Sequence, residues 1–386
     1  MKISITSSPE SAPARFSDLK LSIPVELALK AMGFEIPTPI QSKAIPFALQ
    51  GRDIVGCAQT GTGKTAAYLI PILERLLTSS GKTALVLVPT RELVQQIEIF
   101  WRKLAEFAPD LRCAPLIGGA PMPSQIRALS RKPRLVVATP GRLIDHLERR
   151  TVDLSRVDML VLDEADRMLD MGFAPQLKQV LRSVPTQRQT LLFTATWAPV
   201  MDQIAEQHLN DPERVTIGEV SQAAPDVIQT LVSTTGQRKN ETLLDELNRR
   251  PGSILVFART QLRTDRVARY LSSYGVAVNS LHGGRTQGQR NSALGAFRSG
   301  KIRVLVATDI AARGIDVAQI AHVINYDLPQ APEDYIHRIG RTGRAGATGS
   351  AVSLITPEDR ASWQEISRHL KKSGSDMPGF SSAQPV

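Results

Sequence analysis

Only two cysteines, Cys57 and Cys113, occur in 386 residues, and neither stands at metal-ligand spacing with any of the six histidines. That rules out a disulfide framework and a structural zinc site, and makes the reducing cytoplasm the expected location. No apolar stretch is long enough to span a bilayer. Met1 to Ala14 is Ser/Pro-rich with one early lysine and has no apolar centre of a signal peptide, so neither secretion nor membrane insertion is expected. The small polar tail, Ser373 to Val386, has no Arg-Gly repeat and no basic run. Any binding to a nucleic acid must therefore come from the folded part of the chain.

Charge is present but undirected. Lys+Arg 47 against Asp+Glu 37 gives +10, split as +4 over residues 1–217 and +6 over 218–386. Such a balance favours an anionic polymer as partner without specifying one. The length exceeds what one core usually supports, so two domains are expected.

Apolar, β-branched runs alternate with helical patterns: Asp53 to Val55, Ala84 to Val88, Leu135 to Ala138, Met159 to Leu162 and Thr190 to Phe193. Each leads into polar chemistry, as expected at the carboxyl ends of parallel strands. After the polar stretch Gly218 to Asp226 the pattern restarts with Ile254 to Phe257, Val276 to Val278, Ile302 to Ala307, His322 to Asn325 and Ala351 to Ile355, without obvious repetition of the first half. The expected fold class is α/β, with a disordered N-terminus (1–14), a first domain (15–217), a linker (218–226), a second domain (227–360), and a short helix with a disordered tail (361–386).

Ala58-Gln59-Thr60-Gly61-Thr62-Gly63-Lys64-Thr65 puts a glycine-rich turn between a strand and a helix beginning near Ala66. In that context backbone N–H groups close around phosphate oxygens, Lys64 adds charge at the outer phosphates, and Thr65 offers a hydroxyl to Mg²⁺. Gly81-Lys82-Thr83 shares the last three letters but precedes its strand, so Lys82 reads as a loop lysine. Asp163-Glu164-Ala165-Asp166 follows Met159 to Leu162 directly. Acids emerging from a buried strand are costly without a cation, so Asp163 is read as holding Mg²⁺ and Glu164 as orienting the attacking water. Asp166 is expected to reach other polar groups of the site. These residues together indicate a nucleotide hydrolase with one nucleotide per chain. In the second half, His337 to Arg344 carries arginines at spacing three; in isolation this is a solvated basic face.

Together with Gly33-Phe34-Glu35-Ile36-Pro37-Thr38-Pro39-Ile40-Gln41 and the upstream aromatic Phe16, these motifs make the chain resemble a DEAD-box ATP-dependent RNA helicase of superfamily 2. The resemblance runs from about Phe16 to Thr356 and is to a bacterial-type minimal core. It implies two tandem RecA-like domains, each a mostly parallel sheet flanked by helices, with the ATP and RNA sites across the cleft between them. Gln41 would bond the adenine edge and Phe34 would pack on the base. A carboxamide can donate and accept at once and so matches adenine's amino group and N7.

The resemblance further implies Arg341 and Arg344 as arginine fingers, Asp316 as a ribose contact, and Asp166, Thr194, Thr196 and His337 as coupling residues. The family commonly has Ser where Thr194 stands; the hydroxyl is kept and a methyl added. RNA contacts implied are Arg91, Gly118, Gly119, Thr139 and Arg142 in the first domain and Thr260, Gly283 and Thr308 in the second. Such residues suit gripping a sugar-phosphate strand without reading bases. Gly118, Gly119, Thr260 and Gly283 also suit plain turn or cap positions, the lesser reading.

The expected activity is ATP-dependent, local, non-processive unwinding of short RNA duplexes or remodelling of RNA–protein complexes by a monomeric core, recruited by partners that the sequence does not name. The rival expectation is an ATP-gated RNA clamp or annealing factor with little strand separation. A DNA translocase is disfavoured by the adenine motif and by Asp163 to Asp166.

Overall fold

Leu85-Val86-Leu87 and Leu160-Val161-Leu162 are apolar at every position because both faces of their sheet are covered. In the computed structural model Leu85, Leu87, Leu160 and Leu162 belong to one buried cluster, and Ala84, Val86, Met159 and Val161 to another. The structure describes residues 13–58, 61–195, 197, 199–217, 227–312, 320–343, 349–372 and 379–380. The chain divides into two units, Met1–Val220 and Ser221–Val386.

The first unit contains β1 (Ile54–Cys57), β2 (Thr83–Leu87), β3 (Cys113–Leu116), β4 (Leu135–Ala138), β5 (Val157–Leu162), β6 (Gln189–Thr194) and β7 (Glu213–Thr216). The second contains β8 (Val227–Ser233), β9 (Ile254–Phe257), β10 (Val278–Leu281), β11 (Val304–Ala307), β12 (His322–Asn325), β13 (Gly349–Ile355) and β14 (Gly379–Phe380). The spatial orders are β3-β4-β2-β5-β6-β1-β7 and β10-β11-β9-β12-β13-β8-β14. Adding seven to each strand of the first order gives the second, so the repetition that residue identities hide is explicit in the topology.

Local devices repeat with it. Thr90 caps the helix Arg91–Leu104 by accepting from the Leu93 N–H, and Thr260 caps Gln261–Ser273 by accepting from Arg263. Arg134, before β4, donates to the carbonyls of Leu76, Ser79 and Lys82; Arg303, before β11, donates to those of Leu247, Arg250 and Gly252. In each unit one guanidinium satisfies the free carbonyls where a helix ends and the next strand begins.

Several elements differ from the sequence expectation. β10 is shifted from Val276–Val278 onto Val278–Leu281, whose Asn279 and Ser280 mask it as a strand. β3, with its Pro115, and β8, with Gln229 and Thr230, were not expected as strands. Pro and polar residues are tolerated where a strand borders the sheet edge, and β3 and β10 are edge strands. The helix Arg360–Lys372 is not an appendage beyond a domain ending at 360. Its Trp363, Ile366 and Leu370 are buried in the second unit's core, with the Trp363 ring 5.7 Å from that of Tyr335. Within the tail expected to be disordered, Gly379–Phe380 pairs in parallel with Thr230 and Leu231. The linker 218–226, the remaining tail and residues 1–12 lie outside the described residues. Among the described residues no helix is long and apolar enough to cross a membrane.

Candidate functional site

The turn between β1 and the helix Lys64–Thr78 rests on Gly61 and Gly63, at φ 90° and 93°, a conformation open to glycine at little cost. A side chain on Gly63 would also run into the Gln41 carboxamide. The helix begins at Lys64, earlier than expected, so the lysine sits on its first turn between Gly63 and Thr65. Lys64 is 6% exposed, and its ammonium donates to the Ala58 carbonyl at 2.9 Å. Ala58 in turn donates its N–H to Thr194 at the end of β6. Gln59, Thr60 and Thr196 lie outside the described residues.

Facing the turn is the acidic segment after β5. Asp163 Oδ1 accepts the Glu164 N–H at 2.9 Å and Oδ2 accepts the Tyr68 hydroxyl at 3.0 Å. Burial pushes the Asp163 carboxyl up to about 6, against the downward pull of Lys64. A carboxylate this poorly compensated by its own protein fits a Mg²⁺ ligand, and the Thr65 hydroxyl lies within reach of the same Tyr68.

Glu164 stands at φ 53° and ψ 48°, an unfavourable backbone for a residue with a Cβ, and its carboxylate is ion-paired with Arg167. Asp166 Oδ1 takes the Arg167 N–H at 2.9 Å and Oδ2 takes the Ala195 N–H at 3.2 Å. The acidic segment and the Thr194–Ala195 strand end are thereby joined.

Gln41 accepts from the Thr38 N–H at 2.9 Å and donates to the Gly63 carbonyl at 3.0 Å. The residue expected at the adenine edge therefore also braces the glycine turn. Phe34 is half-buried between Phe16 and Phe100, with ring centroids 5.9 Å from each. Phe16 is 4% exposed and packs behind Phe34.

The residues expected to contact RNA fall at strand ends in both units. In the first, Arg91 follows β2, Gly118 and Gly119 follow β3, and Thr139 and Arg142 follow β4. The Arg91 guanidinium lies against both glycines, and Arg142 Nη1 donates to the Ala120 carbonyl at 3.1 Å. Thr139 is buried and opens the helix Pro140–Glu148. In the second unit Thr260 follows β9, Gly283 follows β10 and Thr308 follows β11. By the strand correspondence Gly283 matches Gly118 and Thr308 matches Thr139, while Thr260 matches Thr90, the cap that precedes Arg91.

The segment His337 to Arg344 is described as far as Gly343; Arg344 and Asp316 lie outside the described residues. Arg341 is 5% exposed, with Nε donating to the His337 carbonyl at 3.3 Å. His337 Nδ1 is 3.7 Å from Asp334. Arg338, of the same spacing-three series, is fully buried. It pairs in bidentate fashion with Asp309, donates to Asn325 and the Asp327 carbonyl, and lies over the Phe257 ring. It therefore holds the helix in place, a role its spacing did not distinguish. Tyr68 and Arg167 were also missed, because a phenol in an apolar helix and one arginine after an acidic run carry no pattern of their own.

A DEAD/DEAH box helicase family model matches residues 38–204, and a helicase conserved C-terminal domain model matches 238–346. The DEAD-box ATP-dependent RNA helicase CshA of Geobacillus kaustophilus is 44% identical over 359 residues, covering 92% of this chain and 77% of that protein. CshA of Bacillus subtilis is 43% identical over 361 residues, covering 92% and 72%. The solved structure of S. cerevisiae Dbp5 bound to RNA and ADP BeF3 is 30% identical, with a TM-score of 0.84 over 96% of each chain. With both halves matched, and with the glycine turn and the acidic tetrapeptide meeting in the first unit, this chain belongs to the DEAD-box family of ATP-dependent RNA helicases.

Proposed function

We propose that the chain binds Mg-ATP through Lys64, Thr65, Gln41 and Asp163 and single-stranded RNA through the strand-end residues of both units. In this reading ATP and RNA raise each other's affinity, as reciprocal linkage requires. The carrying observation is the meeting of the buried Asp163 with the glycine turn: Asp163 accepts from Tyr68 on the same helix that Lys64 and Thr65 open. Mg²⁺ supplies the counter-charge for the phosphates and for this acid. Glu164 orients and deprotonates the attacking water, and Arg341 and Arg344 act on the transferring phosphoryl group. Thr139, Arg142 and the glycine turns grip the sugar-phosphate backbone.

Strand separation is local in this reading. Duplex stacking at about 1.4 kcal/mol per step makes a few base pairs cost about 5 kcal/mol and ten about 14, and one nucleotide cycle covers only the former. The reading places the protein in the cytoplasm as a monomeric core. The test is RNA-stimulated phosphate release measured beside strand displacement over a series of duplex lengths. Activity that falls steeply with length supports local unwinding, and undiminished activity on long duplexes by the protein alone overturns it. RNA-stimulated hydrolysis with no displacement at any length identifies the clamp instead.

A further inference from the structure

Gln125 is 4% exposed and lies on the helix Met122–Ser130, just beyond the Gly118-Gly119 turn. Its Oε1 accepts the Ile117 N–H at 3.0 Å, while Nε2 donates to the Ile117 carbonyl at 3.1 Å and the Ala120 carbonyl at 3.3 Å. One carboxamide thus holds the backbone on both sides of the two glycines, as a group with both donor and acceptor can. Behind it stands the fully buried His146, with Nε2 3.4 Å from Gln125 Oε1 and Nδ1 2.8 Å from Thr151 Oγ1. Burial, and secondly Arg142, holds the His146 pKa below its usual value. In the tautomer that carries its proton on Nε2, the ring donates to the carboxamide oxygen and helps to fix it.

The second unit repeats the device with another side chain. Arg290, 5% exposed on the helix Gln287–Arg298, donates from Nη1 to the His282 carbonyl at 3.1 Å, one residue before Gly283-Gly284. In each unit the clamp comes six residues after the second glycine. A feature rebuilt with different chemistry at the same place of a structural repeat points to the turn as the thing being served.

We propose that Gln125 is a positioning residue for RNA engagement. It does not touch the strand; it sets the Gly118-Gly119 turn in advance, so that its backbone groups are presented without an ordering cost on binding. This rests on the reading of that turn as an RNA contact.

The test compares Gln125→Met, which keeps the volume and removes all three hydrogen bonds, with Gly119→Ala, each in the full chain. The readout is ATPase activity titrated with a single-stranded oligouridylate. In Gln125→Met the RNA concentration for half-maximal activity is expected to rise about ten-fold, because an ordering cost now accompanies binding. Turnover at saturating RNA and the KM for ATP should stay within about two-fold, the mark of lost binding with intact chemistry. A lowered melting temperature with unchanged half-saturation shows a purely structural clamp and overturns the proposal. If Gly119→Ala also leaves half-saturation unchanged, the reading of the turn falls and the inference falls with it; a shift in Gly119→Ala alone overturns only the role of Gln125. Should Gln125→Met not fold, Gln125→Glu keeps the acceptor for Ile117 but sets a carboxylate against two carbonyls. The same shift is expected there, and its absence overturns the proposal.

Discussion

The Tyr68 hydroxyl donates to Asp163 Oδ2 at 3.0 Å, and both side chains are buried. The carboxylate still remains under-compensated, since burial holds its pKa at about 6 against an ordinary 3.8. A folded pKa above the unfolded one means that the ionised acid costs stability above about pH 6. That cost disappears as the pH falls towards 4, because the native state takes up the proton first. Asp163→Asn should therefore stabilise the nucleotide-free protein at pH 7.5 by on the order of 2 kcal/mol while abolishing ATP hydrolysis. Denaturant unfolding at pH 7.5 and pH 5 checks this; a variant less stable than the parent at pH 7.5 contradicts it.

Tyr68→Phe acts in the opposite direction. It removes one of the two hydrogen bonds to Asp163, and a bond to a charged acceptor contributes about 1.5 to 3 kcal/mol. The loss should appear at pH 7.5 and shrink at pH 5, where the acid is largely protonated. A destabilisation equal at both pH values would mean that the phenol matters for packing rather than for the carboxylate.

Glu164 sits at a strained backbone position and its carboxylate is held by Arg167. Glu164→Gln preserves the shape and a hydrogen-bond acceptor for Arg167 but cannot take a proton from water. Hydrolysis is expected to fall by about 10² to 10⁴, the usual worth of a general base, with nucleotide and RNA affinity kept. Single-turnover phosphate release beside equilibrium binding of a fluorescent nucleotide measures both. Near-normal turnover in this variant would remove Glu164 from the chemistry.

The acidic tetrapeptide and the glycine turn were legible because each couples a run of uniform burial to a dense local pattern, and patterns over a few residues survive in a sequence. What was not legible works at long range. Tyr68 reaches Asp163 across 95 positions, and Arg338 finds Asp309 across 29. The second sheet's likeness to the first was reached only through the family resemblance, which implied two tandem RecA-like domains, because residue identities do not show it and strand order does. Edge strand β3 was missed and edge strand β10 was placed too early for the same physical reason that they are tolerated: one side of an edge strand needs no partner, so Pro115, Asn279 and Ser280 are admitted.

That repeat bears on Lys239. It opens the helix after β8, as Lys64 opens the helix after β1, and Asp327 follows β12 as Asp163 follows β5. In the second unit the two side chains meet each other. Lys239 Nζ is 3.3 Å from Asp327 Oδ1 and from Asp359 Oδ2, and all but 4% of its side chain is buried. Asp327 Oδ2 also takes the Arg259 N–H at 3.0 Å, next to Thr260. A lysine already paired with two carboxylates has no reason to hold a phosphate, so here it is a structural ion pair. Lys239→Met should destabilise the protein by about 3 kcal/mol, because it removes the buried cation between the two acids and leaves Asp327 with the half-exposed Arg263, 3.4 Å from Oδ1. Adding Asp327→Asn should recover part of the loss, giving a non-additive double-mutant cycle. Nucleotide affinity and a stoichiometry of one ATP per chain should be unchanged in the folded variants. A Lys239→Met protein that unfolds normally but binds ATP weakly, measured by denaturant titration and calorimetry, would return this lysine to the phosphates.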